Sequence, residues 1–331
     1  MNTVLVREDA DGLWTIAPAG APVLAADVPP LDTMVLEVVG GHLGWSLLAG
    51  EPVPAAVLHD LDEAQEWLWA VYGERVALAV ADREAVELAA EPALPALVAQ
   101  ARKLAYAHWA TRWWPASTID GIPALDQRLL DTEIATLTEA CELIVDGADA
   151  HPEPAPSAPV ALGRAEDYAL AAGSGARHGE LVFGRGSSGW DWRRCPPGLV
   201  DASEHAVSWE LTRAEGATLV RVQAVAAPQL GAPPAHLHPR ALLDTAVGVI
   251  DTELHLFGDT WHGTASTDAE AVAGVQVYVP GVGPEPLSPA EHDERARIRD
   301  LVAARLRRAT ASDDDAPLLA EIAAAASDSD F

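Results

Sequence analysis

The chain has 331 residues, 49% of them apolar, enough to bury a core without disulfides or structural metals. Fifty acidic residues against 21 Lys and Arg give a formal charge of −29, which argues against duplex nucleic acid and anionic membranes as partners, because both are held by cations. Two cysteines, Cys141 and Cys195, cannot make a disulfide framework or a four-thiolate zinc site, and no apolar run approaches the ~20 residues that span a bilayer.

The first residues, MNTVLVREDADG, lack a basic stretch followed by an apolar core, so the expected compartment is the cytoplasm. Asn2 is the only Asn and Lys103 the only Lys, while Ala, Arg, Gly and Pro abound. That bias is expected of GC-rich coding, as in an actinobacterium.

Along the chain, Val4–Val6 and Leu13–Ile16 flank an acidic turn and read as a hairpin. Met34–Val39 and Leu43–Leu48 are two further strands. Ala55–Tyr72 has helical spacing and stops at Gly73, and Val76–Val80 reads as a strand. Leu97, Ala101, Leu104 and His108 form one helical stripe; Leu130, Ile134, Leu137, Cys141 and Ile144 form another. Cys141 is expected to pack there as a small hydrophobe.

The stretch AHPEPAPSAP marks a seam at about 147–163. It divides a mixed α/β domain (1–147) from a β-rich domain with a C-terminal helix (164–309), through a Pro/Ala-rich linker (148–163). An acidic tail follows (310–331). After a short helix at Arg164–Ala172, six short runs read as strands: Leu181–Phe183, Ala206–Leu211, Thr218–Ala226, Ala241–Ile250, Glu253–Phe257 and Val275–Val279. Ser288-Pro289-Ala290-Glu291 is a capping box that opens a helix to about Arg308. The fold class is α+β: short strands then helices in the first half, and an antiparallel β-sandwich-like second half closed by a helix.

Candidate sites are few. GRGSSG (Gly184–Gly189) matches a dinucleotide pattern, but Trp190-Asp191-Trp192 follows it instead of a helix start, so it is read as a mobile loop. His236, His238, His255 and Asp259, with His262 nearby, carry the donor types of a divalent-metal site. Cys195 lies beside Arg193 and Arg194, whose charges favour a thiolate nucleophile, while the double proline after it argues for a rigid turn holding a packed cysteine. Trp109, Arg112, Trp113 and Trp114 on one helix end, and Leu318, Leu319 and Ile322 in the tail, are the residue types that anchor protein partners.

Neither G-x-S-x-G nor H-E-x-x-H occurs, so the commonest serine-hydrolase and zinc-protease signatures are missing. The expected function is therefore a non-enzymatic adaptor or structural component of a bacterial multiprotein system, partnered by another protein or a second copy. No cofactor is expected on that view. The alternative is a metal-dependent hydrolase using His236, His238 and His255.

Overall fold

The computed structural model describes residues 3–22, 24, 29–145, 181–214, 217–230, 237–283, 290–309 and 317–328. The Pro/Ala linker at 148–163, the helix expected at Arg164–Ala172, His236, Ser288-Pro289 and the first part of the tail lie outside them. The chain forms two compact units that interleave along the sequence. One comprises Met1–Trp114, Leu125–Glu153 and Asp293–Phe331; the other comprises Pro115–Ala124 and Pro154–His292. The class is α+β, with open antiparallel sheets in both halves.

The first unit holds β1 (Thr3–Glu8), β2 (Trp14–Pro18), β3 (Thr33–Val38), β4 (Gly41–Ser46), β5 (Ala55–Leu58) and β6 (Val86–Ala89), in the sheet order β3-β4-β5-β2-β1-β6. Its first hairpin closes because the Asp9 carboxylate accepts from the amides of Asp11 and Leu13 at 2.9 Å each. Strand alternation sends Val4, Val6, Ile16, Leu43 and Trp45 to the core.

Three helices follow: α1 (Leu61–Tyr72), α2 (Glu74–Ala81) and α3 (Pro95–Trp113), and then α4 (Gln127–Ala140). The sequence places the first helix start too early. Ala55–Leu58 is a buried strand, and α1 begins only after Asp60, whose carboxylate caps the amides of Asp62 and Glu63. Val76–Val80 is helix α2 and not a strand. Its apolar run buries Val76, Ala77, Ala79 and Val80 but leaves Leu78 outside, a helical pattern that a five-residue window cannot separate from a strand. His108 ends its stripe exposed, whereas Cys141 packs as expected, fully buried just past α4.

Two C-terminal helices, α5 (Ala290–Arg308) and α6 (Leu319–Asp328), complete the helical set among the described residues. α6 packs on α4. The fully buried Glu321 is met there by four donors: Tyr106 Oη (2.7 Å), Arg305 Nε (2.8 Å), Arg305 Nη2 (2.9 Å) and the Leu318 amide (2.8 Å). The Arg305 guanidinium also lies 4.4 Å over the Tyr106 ring. Beside it, Glu133 pairs with Lys103 at 2.7 Å and accepts from the Leu319 amide at 2.7 Å.

The second unit has two sheets. One orders β12 (His255–Phe257), β13 (Thr260–Thr267), β9 (Ala217–Val225), β8 (Val207–Ala214) and β7 (Leu181–Ser188); the other orders β11 (Gly248–Glu253), β10 (Arg240–Thr245) and β14 (Val272–Tyr278). Leu211, Val220, Val222 and Trp261 of the first sheet and Ala241, Leu243, Val275 and Val277 of the second are buried. The run Ala241–Ile250 is a hairpin and not a single strand: Thr245 Oγ1 donates to the Gly248 carbonyl at 2.6 Å and turns the chain. The glycine motif GRGSSG is not a loop but largely strand β7. A Cβ on Gly186 would sit 2.8 Å from the Trp209 ring, so packing requires that glycine.

Because Glu321 is buried with its partners, removing it strands the Arg305 charge. Glu321→Ala is expected to lower the unfolding free energy by about 3–5 kcal/mol, read from denaturant midpoints. A loss under about 1 kcal/mol would show the pair to be no stronger than a surface one.

Candidate functional site

Cys195 follows a single 3-10 turn, Trp192–Arg194, and is 3% exposed. Burial drives its thiol far above the ordinary range; Arg194 pulls against this and Asp191 adds to it. The cation that the sequence sets beside the thiol is thus outweighed by desolvation, and the thiolate is disfavoured. Arg194 instead serves the β14 surface, donating through Nη1 to Gln276 Oε1 at 2.6 Å and lying 5.1 Å over the Tyr278 ring. Tyr278 and Arg240 both donate to the Asp251 carboxylate, at 3.2 Å and 3.0 Å.

Of the histidines, His236 lies outside the described residues. His238 lies 3.9 Å from Glu253. His255 stands directly opposite His262 in the β12–β13 hairpin, and Asp259, in the turn between them, accepts from its neighbour Thr260 at 3.0 Å. Among the described residues no group of three or more His, Cys, Asp or Glu converges to hold a metal.

The aromatic cluster also divides. Trp109 is a core residue: its Nε1 donates to the Leu31 carbonyl at 2.7 Å and its ring stacks on Tyr106 at 5.8 Å. Arg112 is exposed and covers the half-buried Trp113 at 4.9 Å, with Trp114 half-buried beside it. Leu318 is buried, whereas Leu319 and Ile322 face outward from α6.

Three features escaped the linear sequence. The first is Asp201, fully buried, whose carboxylate accepts from the amides of Thr118 (2.7 Å) and Ser203 (2.9 Å) and so ties residues 115–124 to the rest of the second unit. Burial raises its pKa, and those hydrogen bonds oppose the rise. The second is a set of exposed apolar side chains on the edge strands of the second unit. The third is a pair of imidazoles on the first unit's sheet: His42 Nδ1 and His59 Nε2 are 2.7 Å apart, with the rings at 88°. Only strand register brings them together, so no spacing rule could have found them.

Two measurements follow from these environments. In the native protein Cys195 is expected to react with a thiol reagent at least about tenfold more slowly than a model thiol, and at the model rate in denaturant; equal rates in both would contradict its burial. The His42 ring is held below its ordinary pKa, first by burial, then by His59, with Glu37 opposing. The folded chain thus binds fewer protons there than the unfolded chain. The resulting stability is present above the ordinary value of 6.5 and lost as pH falls towards the folded one. Denaturant midpoints are expected to drop from about pH 7 to about pH 5, and His42→Gln to flatten that slope; an unchanged slope would assign it elsewhere. No family model matches the chain, and neither curated proteins nor solved structures yield a match.

Proposed function

We propose that the chain is a non-enzymatic interaction component, an adaptor or structural subunit of a bacterial multiprotein system, that binds another protein through the open sheet edges of its second unit. One observation carries this reading. Phe257 is 82% exposed, Leu181 66% and Val249 64%, and they lie on β12, β7 and β11, each an edge strand of its sheet among the described residues.

Edge strands offer unpaired amides and carbonyls, and folds that avoid partners blunt them with charge, proline or cover. Here β7 begins Leu181-Val182-Phe183 with all three side chains exposed. An added strand would satisfy the backbone, while side chains such as Phe257 contribute about 1.5–3 kcal/mol each when fully covered. Leu319 and Ile322 on α6, and Arg112, Trp113 and Trp114 at the end of α3, are further exposed or half-buried side chains on the first unit. Among the described residues no helix is long and apolar enough to cross a membrane, and the acidic balance disfavours nucleic acid.

A photo-reactive residue at position 257, 249 or 181, expressed in the native host, tests this. Discrete adducts are expected at these positions and absent from a control at the exposed helical Leu78. Adducts no different from those at Leu78 would defeat the proposal. The alternative is a metal-dependent hydrolase using His236, His238 and His255, beside which stands the His255–His262 juxtaposition. It would gain support only from hydrolytic activity lost on chelation and in a His255→Ala variant.

A further inference from the structure

His42 and His59 sit on the solvent side of the first unit's sheet, and their backbones are tightly held. His42 lies in the middle of three paired strands, opposite Glu37 on β3 and Val57 on β5. The amides of His59 and Asp60 both donate to the Gly40 carbonyl, at 2.8 Å and 3.0 Å. Gly40 has φ +73°, and a Cβ on Gly41 would lie 2.4 Å from the Val57 carbonyl, so both positions demand glycine to let β4 approach β5 so closely. The two imidazoles are therefore placed by main-chain geometry and not by flexible stems.

A hydrogen bond between two neutral rings uses one proton and one lone pair, and is worth only about 0.5–1.5 kcal/mol net. The same pair of nitrogens, moved slightly apart with both rings tilted off the N···N line, presents two lone pairs to one point. Metal–nitrogen distances of about 2.0–2.1 Å require the nitrogens to stand roughly 3.3 Å apart in tetrahedral geometry, a small opening from the observed 2.7 Å. The proton between the rings relocates to the outward nitrogen of its own ring through solvent, so both rings stay neutral and none is lost. Glu37, facing His42 across the strands, supplies a negative charge beside a cation.

We propose that His42 and His59 form a two-imidazole site for a divalent first-row metal of the imidazole-preferring class, such as zinc or nickel, with water filling the remaining positions. Since no third protein ligand converges there among the described residues, the site is open, and it selects against magnesium, which prefers oxygen donors.

Chelator-stripped full-length protein is titrated with zinc, nickel and magnesium, by calorimetry and by NMR of the histidine ring protons. Zinc and nickel are expected to perturb the His42 and His59 rings together, at one ion per pair, and magnesium to perturb neither. His42→Gln and His59→Gln are each expected to weaken binding by at least about tenfold, and Glu37→Gln to weaken it in the same direction. His59 is exposed, so His59→Gln keeps a readout should His42→Gln fail to fold. Absence of ring shifts with zinc and nickel, an equal response to magnesium, or binding unchanged in His59→Gln and lost instead in His255→Ala would overturn the proposal.

Discussion

The first unit depends on one buried carboxylate. Glu321 brings a negative charge into a site with no solvent, and the surrounding chain answers with every donor the geometry allows: a guanidinium, a phenol and a main-chain amide. A buried ion pair of this kind contributes little net stability over an apolar replacement, because desolvation offsets the attraction. What it supplies is placement. Only one docking of α6 satisfies both oxygens of Glu321, and Glu133, itself held by Lys103, fixes the start of the same helix through the Leu319 amide. Tyr106 is locked in turn, and Trp109 stacks on it and reaches the Leu31 carbonyl. The chain of contacts thus runs from the last helix through α3 to the segment before β3.

Much of this organisation was legible in the sequence, and the failures have physical causes. Long amphipathic helices and the first hairpin announced themselves by period and by turn chemistry. Strand β13, TWHGTAST, passed unnoticed because its outward residues are Thr, His and Ser and its inward side includes a glycine under Leu254. The β10–β11 turn lacks the Asn-Gly or Asp-Gly pair that signals a hairpin, so two strands read as one. Trp109 looked like an anchor for a partner because composition cannot reveal which side of α3 it occupies. The candidate sites were harder still. Beside Cys195 the sequence offers arginines that favour a thiolate and prolines that favour a packed cysteine, and only burial decides between them. His42 and His59 are 17 residues apart and meet only through the pairing of β4 with β5.

In the second unit, the same scarcity of lysine that marks the composition leaves sheet edges without the residue most often used to guard them. Arg185 on β7, Arg213 over the Phe183 ring and the carboxylates of β11 give partial protection, but Leu181, Val182 and Phe257 carry no charge themselves. Asp201 shows that this unit does not lack internal order: a fully buried carboxylate ties residues 115–124, which follow α3 directly, into it.

The interleaving of the two units bears on how the protein can be made and divided. Tyr106 and Glu321 are 215 residues apart, and the whole of the second unit is synthesised between them. On the ribosome, the second unit can finish folding while the first still waits for α6, with Tyr106 and Lys103 facing an unfilled groove. A single cut in the segment joining α4 to β7 would therefore not release two self-sufficient halves. It would leave the N-terminal piece without its closing helices, and those helices attached to a unit they do not belong to.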